Sequence, residues 1–496
     1  MSPKSSKSPA NSLAMTPFQL AVLGGLTLLL CIIGLTIVSI IYLNWETFFD
    51  VPQEQVAVAP TEPEATISPS PTNTSIATAT PLPTATLPVV EATKLPTPTA
   101  TQVVAAEYIN KDKIAEIIQF VEDIRQLSLP EAVPINFLTR RQLEDQWQED
   151  AFDKSVIEAV KTQQEFYTAL GLIEPDVDLV QAAYDSQTDI ILGYYTPDEK
   201  VMYIIAESVN MFAQEEMTFA HEYVHALQDY FFDLSLILPE NSSGDALLAA
   251  RSLPEGDARF LEDLFTQENI SQEQLEYNVY RYLFQEQIQL EGISPALGIF
   301  TYFPYTAGEY FVIYLFIEGG YSWQKVNEAY SNPPISSEQI MHPEKYLAGE
   351  QPVPVTLPDL GPTLGSDWQK IDENVLGEIG LLVWLIDQTD QLTAINAASG
   401  WDGDNYSLWI NDDDQRVLVE QSVWESEAEA IEFLEAFDLY MTLREGAYSR
   451  SQEGSIRVWD YDEGITFLSR QNDQVLIVVA PDRTVLDQVR SQFGGF

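Results

Sequence analysis

The sequence predicts a mixed α+β fold: a mostly helical region carrying a small β-hairpin, followed by an α+β region built on an antiparallel sheet. Three observations predict it. Apolar residues recur at helical spacing from Ile109 onward, with Ile114, Ile117, Ile118, Val121 and Ile124 on one face. Residues 190–195 and 201–205 are strand-like and flank the polar turn Thr196-Pro197-Asp198-Glu199-Lys200, as a hairpin requires. After residue 400, runs at 406–410, 416–424, 455–461, 464–469 and 475–480 read as strands, and Ser426 with Glu429 has the capping-box spacing that starts a helix. Helices on one face of that sheet are expected.

The first hundred residues are of another kind. Residues 18–43 form an almost unbroken apolar run without a charged side chain, longer than the roughly 20 residues a helix needs to cross a bilayer. Lys4 and Lys7 precede it while Glu46 and Asp50 follow, which places the N-terminus in the cytoplasm and the rest outside. Pro, Thr, Ala and Ser then dominate as far as residue 101, a composition that cannot build a core. The expected organisation is a tail (1–17), a transmembrane helix (18–43), a disordered stalk (44–104), a catalytic domain (105–362) and a C-terminal domain (363–496). Cys31 is the single cysteine, and it follows Leu28, Leu29 and Leu30 rather than small residues. It reads as an apolar membrane residue, and no intrachain disulfide is possible. The net charge of −52, from 76 acidic and 24 basic side chains, excludes nucleic acid as a partner.

The chemistry is concentrated in His221-Glu222-Tyr223-Val224-His225, an H-E-x-x-H segment inside a helix expected near 214–231. Residues four apart share a helix face, so both imidazoles reach one ion. The chain has only 3 histidines, and chance would give this pattern on the order of once in several hundred such chains. Glu222 is placed to act as general base on a metal-activated water. An open catalytic zinc site takes three protein ligands. No third histidine follows at metzincin spacing, whereas the gluzincin pattern, which takes a glutamate from a later helix, is met by Glu255, 30 residues past His225. Glu255 is expected in the first turn of a helix opening at Ser252. Glu262 is its rival, and Asp257 and Asp229 are candidates for orienting an imidazole.

Four segments carry a family resemblance: HEYVHALQD (His221 to Asp229), LPEGDA (Leu253 to Ala258), FPYTAGEYF (Phe303 to Phe311) and SEQIMHPEKYL (Ser337 to Leu347). Together they resemble an uncharacterised family of gluzincin-like proteins from bacteria and archaea, several of them membrane-anchored. The resemblance implies a helical, zincin-like catalytic lobe, an upstream edge strand that holds substrate, and Zn²⁺ on His221, His225 and Glu255. Thermolysin-like enzymes place an aspartate four residues after the glutamate ligand, where this chain has Arg259. A Tyr or His donor against the oxyanion is common in gluzincins. The candidates here are His342, Tyr305 and Tyr310.

These readings converge on a membrane-anchored, extracytoplasmic zinc metallopeptidase acting on a protein or peptide. Two alternatives stand beside it. One is a non-enzymatic surface or binding protein in which zinc staples the fold; the other is an amide hydrolase of cell-wall peptides. Asp402-Gly403-Asp404 and Asp412-Asp413-Asp414 invite a calcium reading, but Tyr406 and Ser407 stand where a calcium loop needs an oxygen ligand and a glycine. They are expected as turn residues.

Overall fold

The helical periodicity after Ile109 is realised as α1 (Lys111–Arg125), which buries Ile117 and Val121 completely. This computed structural model describes residues 111–150, 154–182, 191–206, 208, 211–237, 242–271, 274, 292–444, 448–461 and 464–496. The expected transmembrane helix and stalk lie outside them. Among the described residues no helix is long and apolar enough to cross a membrane.

Strand β1 (Ile135–Leu138) and helices α2 (Arg140–Asp150) and α3 (Lys154–Leu170) come next. The expected hairpin is β2 (Gly193–Thr196) and β3 (Val201–Ile205). The three strands form one sheet with β3 in the middle, parallel to β1 and antiparallel to β2, so β2 is an outer strand.

Helix α4 (Ala213–Phe232) carries the two histidines. Its start is fixed by Glu215, whose carboxylate accepts from the Phe212 N–H at 3.0 Å, and two glutamates in the first turn complement the helix dipole. Helix α5 (Gly244–Asn269) begins eight residues before the expected opening at Ser252, capped by Ser243, which accepts from the Ala246 N–H. Pro254 therefore lies inside the helix and Glu255 is well past its first turn. Proline at this position deprives one carbonyl, that of Ala250, of its partner. The apolar face of Ala249, Leu253, Ala258, Leu261 and Phe265, all buried, outweighs that loss.

Helix α6 (Gly298–Glu318) crosses α5 where both chains have glycine. A Cβ on Gly256 would lie 2.1 Å from the Gly308 carbonyl carbon, and one on Gly308 would lie 2.2 Å from the Ser252 oxygen. The two backbones are in contact, a separation that only glycine permits.

Downstream come β4 (Trp368–Asn374), α7 (Gly377–Ile386), α8 (Gln391–Ala398), β5 (Trp401–Asn411), β6 (Arg416–Trp424), α9 (Glu427–Leu443), β7 (Tyr448–Glu453), β8 (Ile456–Tyr461), β9 (Gly464–Gln471), β10 (Gln474–Ala480) and α10 (Arg483–Arg490). The sheet order is β4-β5-β6-β10-β9-β8-β7, with every neighbour antiparallel. The architecture is α+β, with two departures from expectation. Residues 401–404 are not a turn but the start of β5, with a bulge between Trp401 and Gly403. Asp404 there is buried and accepts from the N–H groups of Leu376 and Gly377 and from Trp401 Nε1, at 2.8–2.9 Å. It caps α7 rather than facing an ion. Asp412 to Asp414 do form the β5–β6 turn, where Asn411 accepts from the Asp413 N–H.

The second departure is that both faces of the sheet are covered. Along β10, Val475 and Ile477 join the main core with α9, while Leu476 and Val478 meet Leu486 and Val489 of α10. An unbroken apolar run, Val475-Leu476-Ile477-Val478, is the signature of a strand buried on both sides. The main core also joins the sheet region to the earlier helices. Trp384 Nε1 and the Tyr440 hydroxyl both donate to the Leu170 carbonyl, at 3.1 and 3.3 Å.

Candidate metal centre

Four-residue spacing on α4 brings the rings of His221 and His225 to 4.9 Å and their Nε2 atoms to 3.2 Å. Glu255, from α5, sets its Oε2 at 3.4 Å from the first Nε2 and 3.5 Å from the second. Each imidazole is fixed from behind. His221 Nδ1–H donates to Glu262 Oε2 at 3.1 Å, and His225 Nδ1–H donates to Gln228 Oε1 at 2.8 Å. The Gln228 amide is itself oriented, because its nitrogen donates to the Pro254 carbonyl at 2.9 Å. With both Nδ1 atoms protonated, both Nε2 atoms present lone pairs.

Three lone-pair atoms thus converge, and Glu255 Oε2 is buried without a hydrogen-bond partner. Such a cluster repels itself unless a positive charge enters it. A tetrahedral ion bound at 2.0–2.1 Å requires ligand atoms roughly 3.3–3.4 Å apart. The observed spacings of 3.2, 3.4 and 3.5 Å meet that requirement, so the donor set fits a zinc-type ion.

The electrostatics point the same way. Burial alone would push both imidazoles down, but Glu255 beside both and Glu262 beside His221 raise them, His221 to about 10. Burial would push the Glu255 carboxyl up, yet the two histidines hold it well below the ordinary range. Without a metal these carboxylates favour a proton on His221, the positive charge that a bound ion would replace. Glu222 is also buried, and burial raises its carboxyl, against the opposing pull of the two imidazoles.

Tyr305 comes from α6, its ring 6.1 Å from that of His221, and it is hydrogen-bonded to Arg251. Arg251 reaches the outer oxygen of Glu255, with Nε at 3.4 Å and Nη2 at 3.5 Å. The other sequence candidates fall elsewhere. Glu262 supports His221 from behind instead of joining Glu255 on the Nε2 side, and Arg259 Nη1 grips its other oxygen at 2.8 Å. Arg259, where thermolysin-like enzymes have an acid, thus reaches His221 through Glu262. Asp229 accepts from the Tyr195 hydroxyl at 2.7 Å and from Lys200 Nζ at 2.6 Å, tying the hairpin to α4. Asp257 accepts from Arg125 and from the Tyr330 hydroxyl. Neither aspartate orients an imidazole.

His342 pairs its Nε2 with Glu378 Oε1 at 3.0 Å. That pair belongs to the far end of α5: Ser337 N–H bonds Asp245, ten residues and roughly 15 Å of helix from Glu255, and Ile379 N–H bonds Ser337. Its contacts give His342 no part in the triad. Tyr310, five residues after Tyr305, is turned about 140° around α6 and packs on Tyr314 at 6.3 Å. A second carboxylate trio, Glu338, Glu350 and Glu425, surrounds Lys345 Nζ, which already supplies its cation. Sequence reasoning missed Gln228 and Arg251. Both signals were present, since Gln228 lies three residues after His225 and Arg251 four before Glu255, the spacings that share a helix face.

Residues 365–490 match a family described as a domain of unknown function (DUF8575), which spans β4 to α10 and includes none of the triad. No curated protein matches the chain. Among solved structures, the chain is similar to a candidate hydrolase with a novel fold from Chloroflexus aurantiacus. The identity is 18% and the TM-score 0.29, over 48% of this chain and 89% of that one. Likeness at that level carries no inference about this chain's activity.

Proposed function

We propose that the chain is a membrane-anchored, extracytoplasmic zinc metallopeptidase of gluzincin type. The observation that carries this reading is the convergence of His221 Nε2, His225 Nε2 and Glu255 Oε2 at the mutual spacing of a tetrahedral ion's ligands, with the last atom buried and unpartnered. Zn²⁺ held by these three supplies a Lewis acid that polarises a carbonyl and acidifies a water.

The chain's own residues do the rest. Glu222, beside His221 in sequence and buried with it, takes the water's proton and passes it to the leaving amine. Glu262 and Gln228 keep the imidazoles in the tautomer that leaves Nε2 available. Tyr305, whose ring lies 6.1 Å from that of His221, is the candidate donor to the developing oxyanion. The outer strand β2, which α4 holds through Asp229, offers an edge for an extended peptide. Three converging donors rather than four favour a catalytic ion with an open position over a structural zinc closed by four ligands.

The test is metal content of the full-length chain and of His221→Ala, with hydrolysis of a denatured protein measured in parallel. Near-stoichiometric zinc and hydrolysis, both lost in the variant, support the reading. A folded chain without zinc sinks it. Zinc without hydrolysis of protein or cell-wall peptides leaves the structural-zinc alternative.

A further inference from the structure

Two guanidinium groups flank the triad, and their commitments differ. Arg259 is fully engaged: it bonds Glu262 at 2.8 Å and Asp263 at 2.6 Å, the short distances of charge-assisted pairs. Arg251 reaches Glu255 only at long range, 3.4 and 3.5 Å, both to its single outer oxygen, and its other partner is the neutral Tyr305. Its fork is not matched to both oxygens of a carboxylate, the arrangement a guanidinium favours. Its side chain keeps 29% of its surface exposed, whereas Glu255 keeps 13%. The inner oxygen of Glu255 belongs to the triad, so Arg251 stands one carboxylate's width from the candidate ion position, with part of its side chain exposed.

We propose that Arg251, with Tyr305 beside it, is a subsite for a carboxylate of the substrate. This rests on the metallopeptidase reading and specifies its substrate class. When a divalent ion takes up the charge of Glu255, the pull on Arg251 weakens and its fork turns to an incoming anion. A C-terminal residue places its carboxylate one Cα beyond the scissile nitrogen, within that reach of a carbonyl held at the ion. An acidic side chain just after the cleaved bond presents the same group. Tyr305, bonded to Arg251 and packed on His221, links the subsite to the triad.

Binding rather than turnover tests it. The full-length chain carrying Glu222→Gln, loaded with zinc, is titrated calorimetrically with three ligands. These are a blocked dipeptide with a free C-terminal carboxylate, its C-terminal amide, and the amide with glutamate in the last position. The free acid or the glutamate amide is expected to bind at least ten-fold tighter than the plain amide, and whichever does identifies the carboxylate's source. Adding Arg251→Gln should bring that ratio near one while zinc stays stoichiometric. Arg251→Lys, which keeps the charge and serves if the glutamine variant does not fold, should give an intermediate ratio. Equal binding of all three ligands, or a ratio unchanged in the Arg251 variants, overturns the subsite. Zinc content and hydrolysis by the chain with Glu222 intact judge the underlying reading separately.

Discussion

Glu262 holds His221 Nδ1 at 3.1 Å through one oxygen while Arg259 holds its other oxygen at 2.8 Å. The carboxylate is therefore a fixed strut behind the first histidine. Glu262→Gln is expected to weaken zinc binding by about 10–100-fold, the usual effect of losing such a partner. Competition with a chromogenic chelator measures this directly. Unchanged affinity would show that the strut does not hold the ring.

Glu222→Gln should keep zinc and lose hydrolysis, on the order of 10²–10⁴-fold in kcat, because the carboxamide cannot take up the proton. Metal analysis and a peptide assay on the same sample separate the two effects. Full activity in this variant would remove Glu222 from the mechanism.

Gly256→Ala should destabilise the fold by about 1–3 kcal/mol or more, since its new methyl would collide with the Gly308 backbone. Chemical denaturation measures the loss. Gly349→Ala is the control for backbone strain alone: its φ is +72° but nothing lies within 4 Å of the added carbon.

Stability of the zinc-free chain should fall as pH rises from about 5 to 8. Burial raises Asp404 to about 6 and Asp245 to about 8, and it raises Glu420 strongly. An acid whose pKa is higher folded than unfolded binds more protons when folded. Its contribution is complete below the unfolded value, near 4, and is lost as pH rises through the folded one. His221, raised to about 10, acts in the same direction above its unfolded value near 6.5. Asp245→Asn and Glu420→Gln should each flatten the slope of the melting temperature against pH. A wild-type melting temperature that climbs between pH 5 and 8 would contradict the assignment.

Much of this was legible in the sequence because the responsible physics is local. The 3.6-residue period exposed α1, strand-turn-strand chemistry exposed the hairpin, and the four-residue spacing of His221 and His225 put two imidazoles on one helix face. Glu255 was legible as a residue, but its helix was not. The helix was expected to open at Ser252, and only tertiary packing of Ala249, Leu253 and Leu261 shows why it begins earlier and runs through Pro254. The roles of Asp229, Asp257 and Glu262 depended on partners far away in sequence, Tyr195, Arg125 and His221, which no spacing rule reveals. Asp404 misled for a related reason. Asp-Gly-Asp has turn chemistry, but burial beside the start of α7 gave the acid two backbone donors.

The contact between Gly256 and Gly308 acts as a fixed gauge. Glu255 is one residue from the first glycine and Tyr305 three from the second. The spacing between Glu255 and Tyr305 is therefore set by main chain against main chain. Side-chain repacking cannot tune it. If the triad works as proposed, engineering for bulkier substrates would have to act on residues away from this seam.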